Sequence, residues 1–161
     1  MSIPHWQKFE AIARDVVRDP IKKLGRGIYF ILLYGSVATK SATKYSDIDI
    51  CIITRKGRYH RHFIKDGTPI NLWSKTLPEF KKTLFRPSFE WRVAIPLLLH
   101  AKVLYGNKAL LRSLQKRVRK LDRATFTKSA KLMMHDMYEY ILKLRAAKER
   151  QDFILFRHAT Y

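Results

Sequence analysis

Seven apolar or aromatic residues in a row, IYFILLY at positions 28–34, constrain the fold more than any other part of this chain. Such a run has no polar face, which is typical of a strand covered on both faces and not of an amphipathic strand. Gly25 and Gly27 precede the run and Gly35 follows it, which sets its limits. The sequence therefore predicts a central strand of a sheet that is buried on both faces.

Further strands are predicted after the loop GSVATKSATKYS. Residues 47–54, DIDICIIT, alternate at first and then become wholly apolar, as a second central strand would. The segments RYHRHFI and PINLWS flank a turn at residues 65–68, so we expect a hairpin with Pro69 at the start of its second strand. KVLYG predicts a brief strand closed by Gly106.

Helical patterns cover most of the remaining sequence. Apolar residues recur at helical spacing over residues 6–24, with Pro20 marking an end or a kink. TLPE at residues 76–79 fits a capping box that opens a helix through Phe85. RPSFEWRVAIPLLLH predicts a helix broken by Pro96.

The C-terminal part is helical and basic in pattern. Asn107 can cap a helix that runs to about Lys120, and a further helical pattern begins at Asp122. Its apolar residues follow three- and four-residue steps, which predicts a helix packed against something; they are Leu132, Met133, Met137, Tyr140, Ile141 and Leu144. We expect residues 1–106 to form a catalytic-type domain and residues 107–161 a basic helical region, which could belong to a longer helical domain.

Length and composition narrow the class of protein. A chain of 161 residues can build one compact core, or a core with a small helical appendage. A single cysteine excludes a disulfide framework and a cysteine-based zinc site. No apolar stretch reaches the roughly 20 residues of a membrane span, and the N-terminus lacks an apolar signal core. A cytoplasmic protein without a membrane partner is expected.

The net charge points to anionic partners. Thirty-three Lys and Arg residues against thirteen Asp and Glu residues give a formal charge of +20. Nucleic acid, nucleotide phosphates, anionic lipid and acidic proteins all remain open as partners, because charge alone does not choose among them.

Against this basic background, Asp47 and Asp49 stand out. Side chains two apart on a strand share a face, so the two carboxylates point the same way and repel each other. A divalent magnesium ion is the usual solution, because it prefers carboxylate oxygens and lets substrate phosphates complete its shell. Gly35 permits close backbone approach, and Ser36 offers a hydroxyl and an amide where phosphate is favoured. The pattern predicts a site where phosphate and metal meet.

These residues carry a resemblance to a known family. FILLYGS, then ten residues from 37 to 46, then DIDICII resembles the nucleotidyltransferase superfamily, which includes DNA polymerase β and the poly(A) and CCA-adding polymerases. The nearest resemblance is to minimal and aminoglycoside-type nucleotidyltransferases. The resemblance implies an α+β fold, in which a mixed β-sheet is flanked by helices and followed by a C-terminal helical segment.

The resemblance also implies an activity and roles for residues. The activity is transfer of a nucleoside monophosphate, AMP from ATP or the equivalent from another NTP, to an acceptor hydroxyl. Asp47 and Asp49 would be catalytic and would ligate one or two Mg²⁺ ions. The nucleotide would be held by Gly35, Ser36, Lys40, Lys44 and Ser46.

One part of the family pattern is missing. Active members usually carry a third carboxylate on a later strand, which here should come from PINLWS. Asn71 stands on the expected face and can offer a carbonyl oxygen to a metal, but it cannot serve as a base. Asp66 in the preceding turn and Glu90 are the nearest acids in sequence, with Asp66 the better candidate for the third position.

Two functions from different classes therefore remain open. The first is a magnesium-dependent nucleotidyltransferase of the kind described above. The alternative is a catalytically impaired module with the same fold that binds RNA, DNA or a helical protein partner, as an antitoxin does. Self-association into a homo-oligomer also remains open.

Overall fold

A computed structural model describes residues 3–57, 59–88 and 90–150 of the chain. Along the chain the elements are α1 His5–Val16, α2 Arg18–Leu24, a 3₁₀ turn Gly25–Gly27, β1 Ile28–Tyr34, α3 Gly35–Ala38, β2 Ile48–Thr54, β3 His60–Lys65, β4 Thr68–Thr76, α4 Leu77–Phe85, α5 Trp91–His100, β5 Lys102–Gly106, α6 Lys108–Val118 and α7 Arg123–Glu149.

The strands form one five-stranded sheet in the order β3-β4-β2-β1-β5. β2 and β4 are parallel, whereas the other three neighbouring pairs are antiparallel. The two most apolar strands, β1 and β2, therefore lie in the interior of the sheet, and their side chains are almost all buried. The predicted mixed sheet is confirmed.

Helices cover both faces of the sheet. On one face, Ile31, Ile50 and Leu72 pack in a cluster with Phe9 and Ile12 of α1. On the other face, the alternate strand residues, such as Leu32 and Cys51, pack with apolar side chains of α4, α5 and α6. The expected α+β class is confirmed, because each central strand needs cover on both faces.

Local side-chain bonds set the starts of three helices. Thr76 and Glu79 form the predicted capping box at α4. The Asn107 side chain accepts a hydrogen bond from the backbone N–H of Leu110 at α6, and Asp122 does the same for Thr125 at α7. These caps satisfy backbone donors that have no partner inside the helix.

Two prolines behave differently from the prediction. The predicted helix over residues 6–24 is two helices, and the break falls at Val17, with Pro20 inside the first turn of α2. A proline is tolerated there because first-turn N–H groups lack helical partners.

The predicted break at Pro96 was wrong, since α5 continues through it. Burial of Ile95, Leu97 and Leu98 outweighs the missing hydrogen bond.

Two side-chain contacts join the start of α7 to the rest of the described chain. The Phe126 ring lies 5.5 Å from that of Trp91, and the Ser129 hydroxyl donates to the Ser88 carbonyl at 3.4 Å. In the described residues the apolar stripe of α7 is only partly covered, so the prediction that it packs against something stays a prediction. Its larger members are exposed by 42–56%; they are Leu132, Met137, Tyr140 and Ile141.

Helix α6 belongs to the same core as the sheet, because Leu111, Leu114 and Val118 lie in one buried cluster with Phe30 and Leu32 of β1. The division of the chain at residues 106 and 107 stays a prediction. Among the helices in the described residues, none combines the length and the apolar character needed to cross a membrane.

Candidate active site

Four side chains of the candidate site form one row across four neighbouring strands. Tyr34 of β1 pairs with Asp49 of β2, Asp49 pairs with Asn71 of β4, and Asn71 pairs with His62 of β3. Residues paired directly across a sheet point to the same face. This row lies on the face that α4, α5 and α6 cover further along the strands.

The two aspartates converge on a single amide group. The Asn71 Nδ2 atom donates to Asp47 Oδ2 at 2.8 Å and to Asp49 Oδ1 at 3.1 Å. Asp47 lies just before β2, and Asp49 is its second residue. Two carboxylates are thus held around one small, partly positive group. A cation would be favoured at the same position.

The environment of Asp49 disfavours its charged form. Partial burial raises the pKa of Asp49 above its ordinary value, and the negative charge of Asp47 adds to this, while the hydrogen bond from Asn71 acts in the opposite direction. Beside it, the Tyr34 hydroxyl accepts a hydrogen bond from Trp73 Nε1 at 2.7 Å. Burial raises the pKa of Tyr34, so this phenol stays neutral.

His62 fixes the orientation of the Asn71 amide, and the predicted site residues do not include it. His62 Nδ1 lies 2.7 Å from Asn71 Oδ1. Because the amide nitrogen faces the aspartates, its oxygen faces the imidazole, which must be the donor. The hairpin register contains the signal for this contact, since the turn that pairs residues 65 and 68 also pairs 62 with 71.

Gly35 sits directly against Asp49. Its φ is +72°, and an added Cβ would lie 2.7 Å from Asp49 Oδ2. Both the backbone conformation and the close approach require glycine here. Ser36 follows in the short helix α3, where its carbonyl accepts the backbone N–H of Ser41 at 2.9 Å and so closes the loop.

The other predicted nucleotide contacts lie in the loop between α3 and β2. Lys40 Nζ lies 5.1 Å from the centroid of the Trp6 ring, and Lys44 Nζ lies 4.8 Å from that of Tyr45. The Ser46 hydroxyl accepts the backbone N–H of Thr43 at 3.0 Å, which stabilises the turn before Asp47. The Lys40 contact joins this loop to α1, whereas the Lys44 contact lies within the loop.

Neither acid considered for the third position contacts the aspartate pair in the described structure. Asp66 lies in the exposed turn between β3 and β4 with φ of +50°. Glu90 accepts hydrogen bonds from Lys75 Nζ at 2.5 Å and Thr83 Oγ1 at 3.0 Å, and this pairing lowers the pKa of its carboxyl. Asn71 is the side chain that lies between Asp47 and Asp49.

Comparison with solved structures supports the fold. A nucleotidyltransferase-like protein from Exiguobacterium sibiricum has a TM-score of 0.54 and 13% sequence identity. The match covers 91% of this chain and 52% of that protein, so the chain spans about half of its length. A second solved structure, a toxin-antitoxin with AMP-PNP, has a TM-score of 0.42 and 11% identity, covering 88% of this chain and 98% of the other. That score is too low to establish a shared fold.

Sequence comparison identifies the family. A search among curated proteins gave no match to the chain. The family model of the nucleotidyltransferase domain, however, matches residues 14–100, which is more than half of the chain. The matched stretch contains Gly35, both aspartates and Asn71. The chain therefore belongs to the nucleotidyltransferase domain family.

Proposed function

We propose that this nucleotidyltransferase uses Mg²⁺ to transfer a nucleoside monophosphate from a triphosphate, with ATP the first candidate, to an acceptor hydroxyl. One observation carries the proposal: Asp47 and Asp49 hold the same amide nitrogen within 3.1 Å, directly beside Gly35. Two adjacent carboxylates that already share one electropositive group have the arrangement that a bound cation needs.

The residues present fit magnesium. Mg²⁺ is usually held by one or two carboxylates, and substrate phosphates complete its shell. In the described part of the chain, no group of three or more His, Cys, Asp or Glu side chains could hold a metal. Asp47 and Asp49 would hold the ion, and bound Mg²⁺ would neutralise charge on the phosphate oxygens.

The chain's own residues would position the triphosphate. Gly35 has no Cβ, so the Asp49 carboxylate stays uncovered on that side. Ser36 would bind a phosphate through its hydroxyl and its amide, and Lys40 and Lys44 would offset phosphate charge from the loop beside the pair. Ser46 would act through the turn that it stabilises. Most of the rate enhancement would come from positioning and charge neutralisation.

In the proposed step, the acceptor oxygen attacks the α-phosphorus. A bond forms between that oxygen and phosphorus, while the bond from the α-phosphorus to the bridging oxygen breaks and pyrophosphate leaves with the electron pair. The hydroxyl proton passes to water, because the Asn71 amide cannot accept it. We therefore expect slower transfer than a third carboxylate would support.

The same asparagine favours a second candidate function. Asn71 occupies the place between the aspartates, and the chain carries a net charge of +20. A protein that keeps the fold without turnover would use this basic surface to bind nucleic acid or a protein partner. Triphosphate binding that proceeds without any transfer or hydrolysis would favour this second function.

The test is binding and transfer with labelled nucleotides. We expect the wild-type protein to bind ATP or another NTP only with Mg²⁺, and the double variant Asp47→Asn, Asp49→Asn to lose that binding. The double variant Asp136→Asn, Glu149→Gln removes the same charge from α7 and should bind as the wild type does. The proposal fails if no triphosphate binds, or if the site variant binds equally well.

A further inference from the structure

A cleft of about 590 Å³ lies close to the aspartate row. Its lining includes His60 of β3 and Trp73 of β4, which pair with each other in the sheet. Lys82 of α4 also lines it, as do Arg86 and Ser88 just after that helix. Trp73 follows Asn71 by two residues on the same face of β4, and the His60 ring lies 4.4 Å from the His62 ring. The cleft therefore begins one row of side chains away from Asn71.

The cleft and the glycine-serine segment lie on opposite sides of the aspartates. Gly35 follows β1, whereas the cleft lies along β4 and β3, and β2 with its aspartate stands between them. Phosphoryl transfer places the attacking and the leaving oxygen roughly in line on opposite sides of phosphorus. If the triphosphate lies on the Gly35 side, the attacking hydroxyl would approach from the β4 side, where the cleft lies.

The lining of the cleft combines aromatic rings with available cations. Tyr59, His60 and Trp73 offer ring surfaces. Lys75 is engaged with Glu90, but Lys82 and Arg86 are exposed and make no ion pair within the described residues. Rings that stack on bases and cations that contact phosphates are the two features of single-stranded nucleic-acid sites. A volume of about 590 Å³ is also in the range of small-ligand sites.

Cations continue beyond the cleft. The Arg117 guanidinium of α6 lies 4.2 Å from the centroid of the Phe85 ring, and Phe85 directly precedes Arg86. Lys81 stands next to Lys82 on α4. A chain of phosphates leaving the cleft would thus meet further positive charge, which favours a polynucleotide over a single nucleotide.

We propose that the cleft binds the acceptor, and that the acceptor is the hydroxyl-bearing end of a single-stranded nucleic acid. This inference rests on the proposed nucleotidyl transfer. The terminal hydroxyl oxygen bonds to the α-phosphorus of the NTP, pyrophosphate leaves with the electron pair of the broken bond, and the hydroxyl proton goes to water. The product is a strand that is one nucleotide longer.

Fluorescence anisotropy with short labelled RNA and DNA strands tests the cleft without any turnover. The double variant Lys82→Ala, Arg86→Ala should bind the strands about tenfold more weakly. Its slope of log affinity against log salt should be shallower by about 1.4, since each lost phosphate contact accounts for roughly 0.7 on a single strand. The double variant Lys8→Ala, Lys22→Ala removes the same charge from exposed positions on α1 and α2 and should leave the slope unchanged.

Transfer and nucleotide binding then separate the two proposals. A strand with a free terminal hydroxyl should be extended, and a strand with a blocked end should not. The cleft variant should keep wild-type NTP affinity.

Loss of NTP affinity in the cleft variant would assign the cleft to the nucleotide donor. That result would overturn the acceptor inference but not the proposed function. Equal strand binding by both double variants, or labelling of an acidic protein in place of any strand, would also overturn it. Failure of the wild type to bind any NTP would refute the proposed function, and the acceptor assignment would fall with it.

Discussion

At the scale of single residues, the site is decided by what lies between two carboxylates. The Asn71 amide nitrogen donates to both aspartates, and its oxygen is held by His62. Hydrogen bonds to charged groups contribute about 1.5–3 kcal/mol, so this one side chain offsets much of the repulsion in the metal-free protein. In the proposed function, the same side chain stands where a third carboxylate would complete the metal site and accept a proton.

Replacing Asn71 with aspartate should reverse both effects. Asn71→Asp places a third carboxylate beside the pair and deletes two donors, so the metal-free protein should lose about 1–3 kcal/mol of stability. Mg²⁺ should then raise its melting temperature more than that of the wild type, and transfer should accelerate about tenfold or more. Asn71→Ala deletes the donors without adding charge and serves as the control. An unchanged response to Mg²⁺ in the aspartate variant would contradict the assignment of the third position.

The raised pKa of Asp49 predicts how stability depends on pH. Because the folded state binds this proton more tightly than the unfolded state, the favourable contribution is present below the ordinary value of 3.8 and is lost as pH rises through the higher folded pKa. Asp49→Asn has no carboxyl to titrate at this position, so the variant should not lose this stability as pH rises. The metal-free variant should match the wild type in strong acid and exceed it near neutrality by less than about 1 kcal/mol, because solvent screens this half-buried carboxyl, which is at most about 2–4 °C in melting temperature. Thermal unfolding across pH measures the difference, and a constant difference would rule out this cause.

Gly35 gives a third test at this scale. Gly35→Ala must adopt a left-handed φ and must displace the Asp49 carboxylate, whose oxygen would lie 2.7 Å from the new Cβ. We expect a loss of about 1–3 kcal/mol in stability and about tenfold weaker Mg²⁺ binding by calorimetry. Gly27→Ala is the matched control, because nothing lies within 4 Å of the added atom and its φ is ordinary. Wild-type metal affinity in Gly35→Ala would place the metal elsewhere.

At the scale of elements, the sheet edge at β5 depends on one close approach. Gly106 ends β5 with φ of +101°, and an added Cβ would lie 2.3 Å from the Tyr29 carbonyl oxygen. That oxygen accepts the backbone N–H of Asn107 at 2.7 Å, at the point where the chain turns into α6. The clash is with backbone, which cannot move without disturbing β1.

Gly106→Ala should therefore destabilise the protein by about 3 kcal/mol or more. Gly57→Ala also has a positive φ, of +81°, but nothing lies within 4 Å of its added Cβ, so it should cost only about 1 kcal/mol. Urea unfolding of the two variants measures the difference. Equal losses would mean that backbone conformation alone, and not the contact with β1, requires glycine at position 106.

At the scale of the whole molecule, charge is the dominant feature. A formal charge of +20 on 161 residues opposes compaction, because like charges repel more strongly in the folded than in the expanded chain. The ion pairs in the described residues are mostly on the surface, such as Lys23 with Asp19 and Lys143 with Glu139, and contribute little each.

Salt should therefore stabilise this protein. Raising sodium chloride from about 0.01 M to about 0.15 M shortens the screening length from about 30 Å to about 8 Å, and the melting temperature should rise by several degrees. Choline chloride should act equally well, because the effect comes from screening and not from a cation bound at Asp47 and Asp49. A flat or falling melting temperature would show that self-repulsion does not limit stability.

The sequence by itself determined the parts of this protein that depend on neighbouring residues. The apolar runs predicted β1 and β2, the capping residues predicted the starts of α4 and α6, and the spacing of Gly35 to the aspartates predicted the family. Each signal is local, because it can be recognised in a short stretch of the chain. The signals are the apolar run of a strand, the capping residue of a helix and the spacing of a motif.

Only the tertiary structure decided what surrounds the aspartates. Asn71 reaches them from 22 and 24 residues away through the parallel pairing of β4 with β2, and His62 joins through the hairpin. Burial of neighbouring side chains carries α5 through Pro96, and the packing of α4, α5 and α6 over the sheet leaves the stripe of α7 exposed. These outcomes depend on free energies summed over distant contacts, which no local pattern of residues contains.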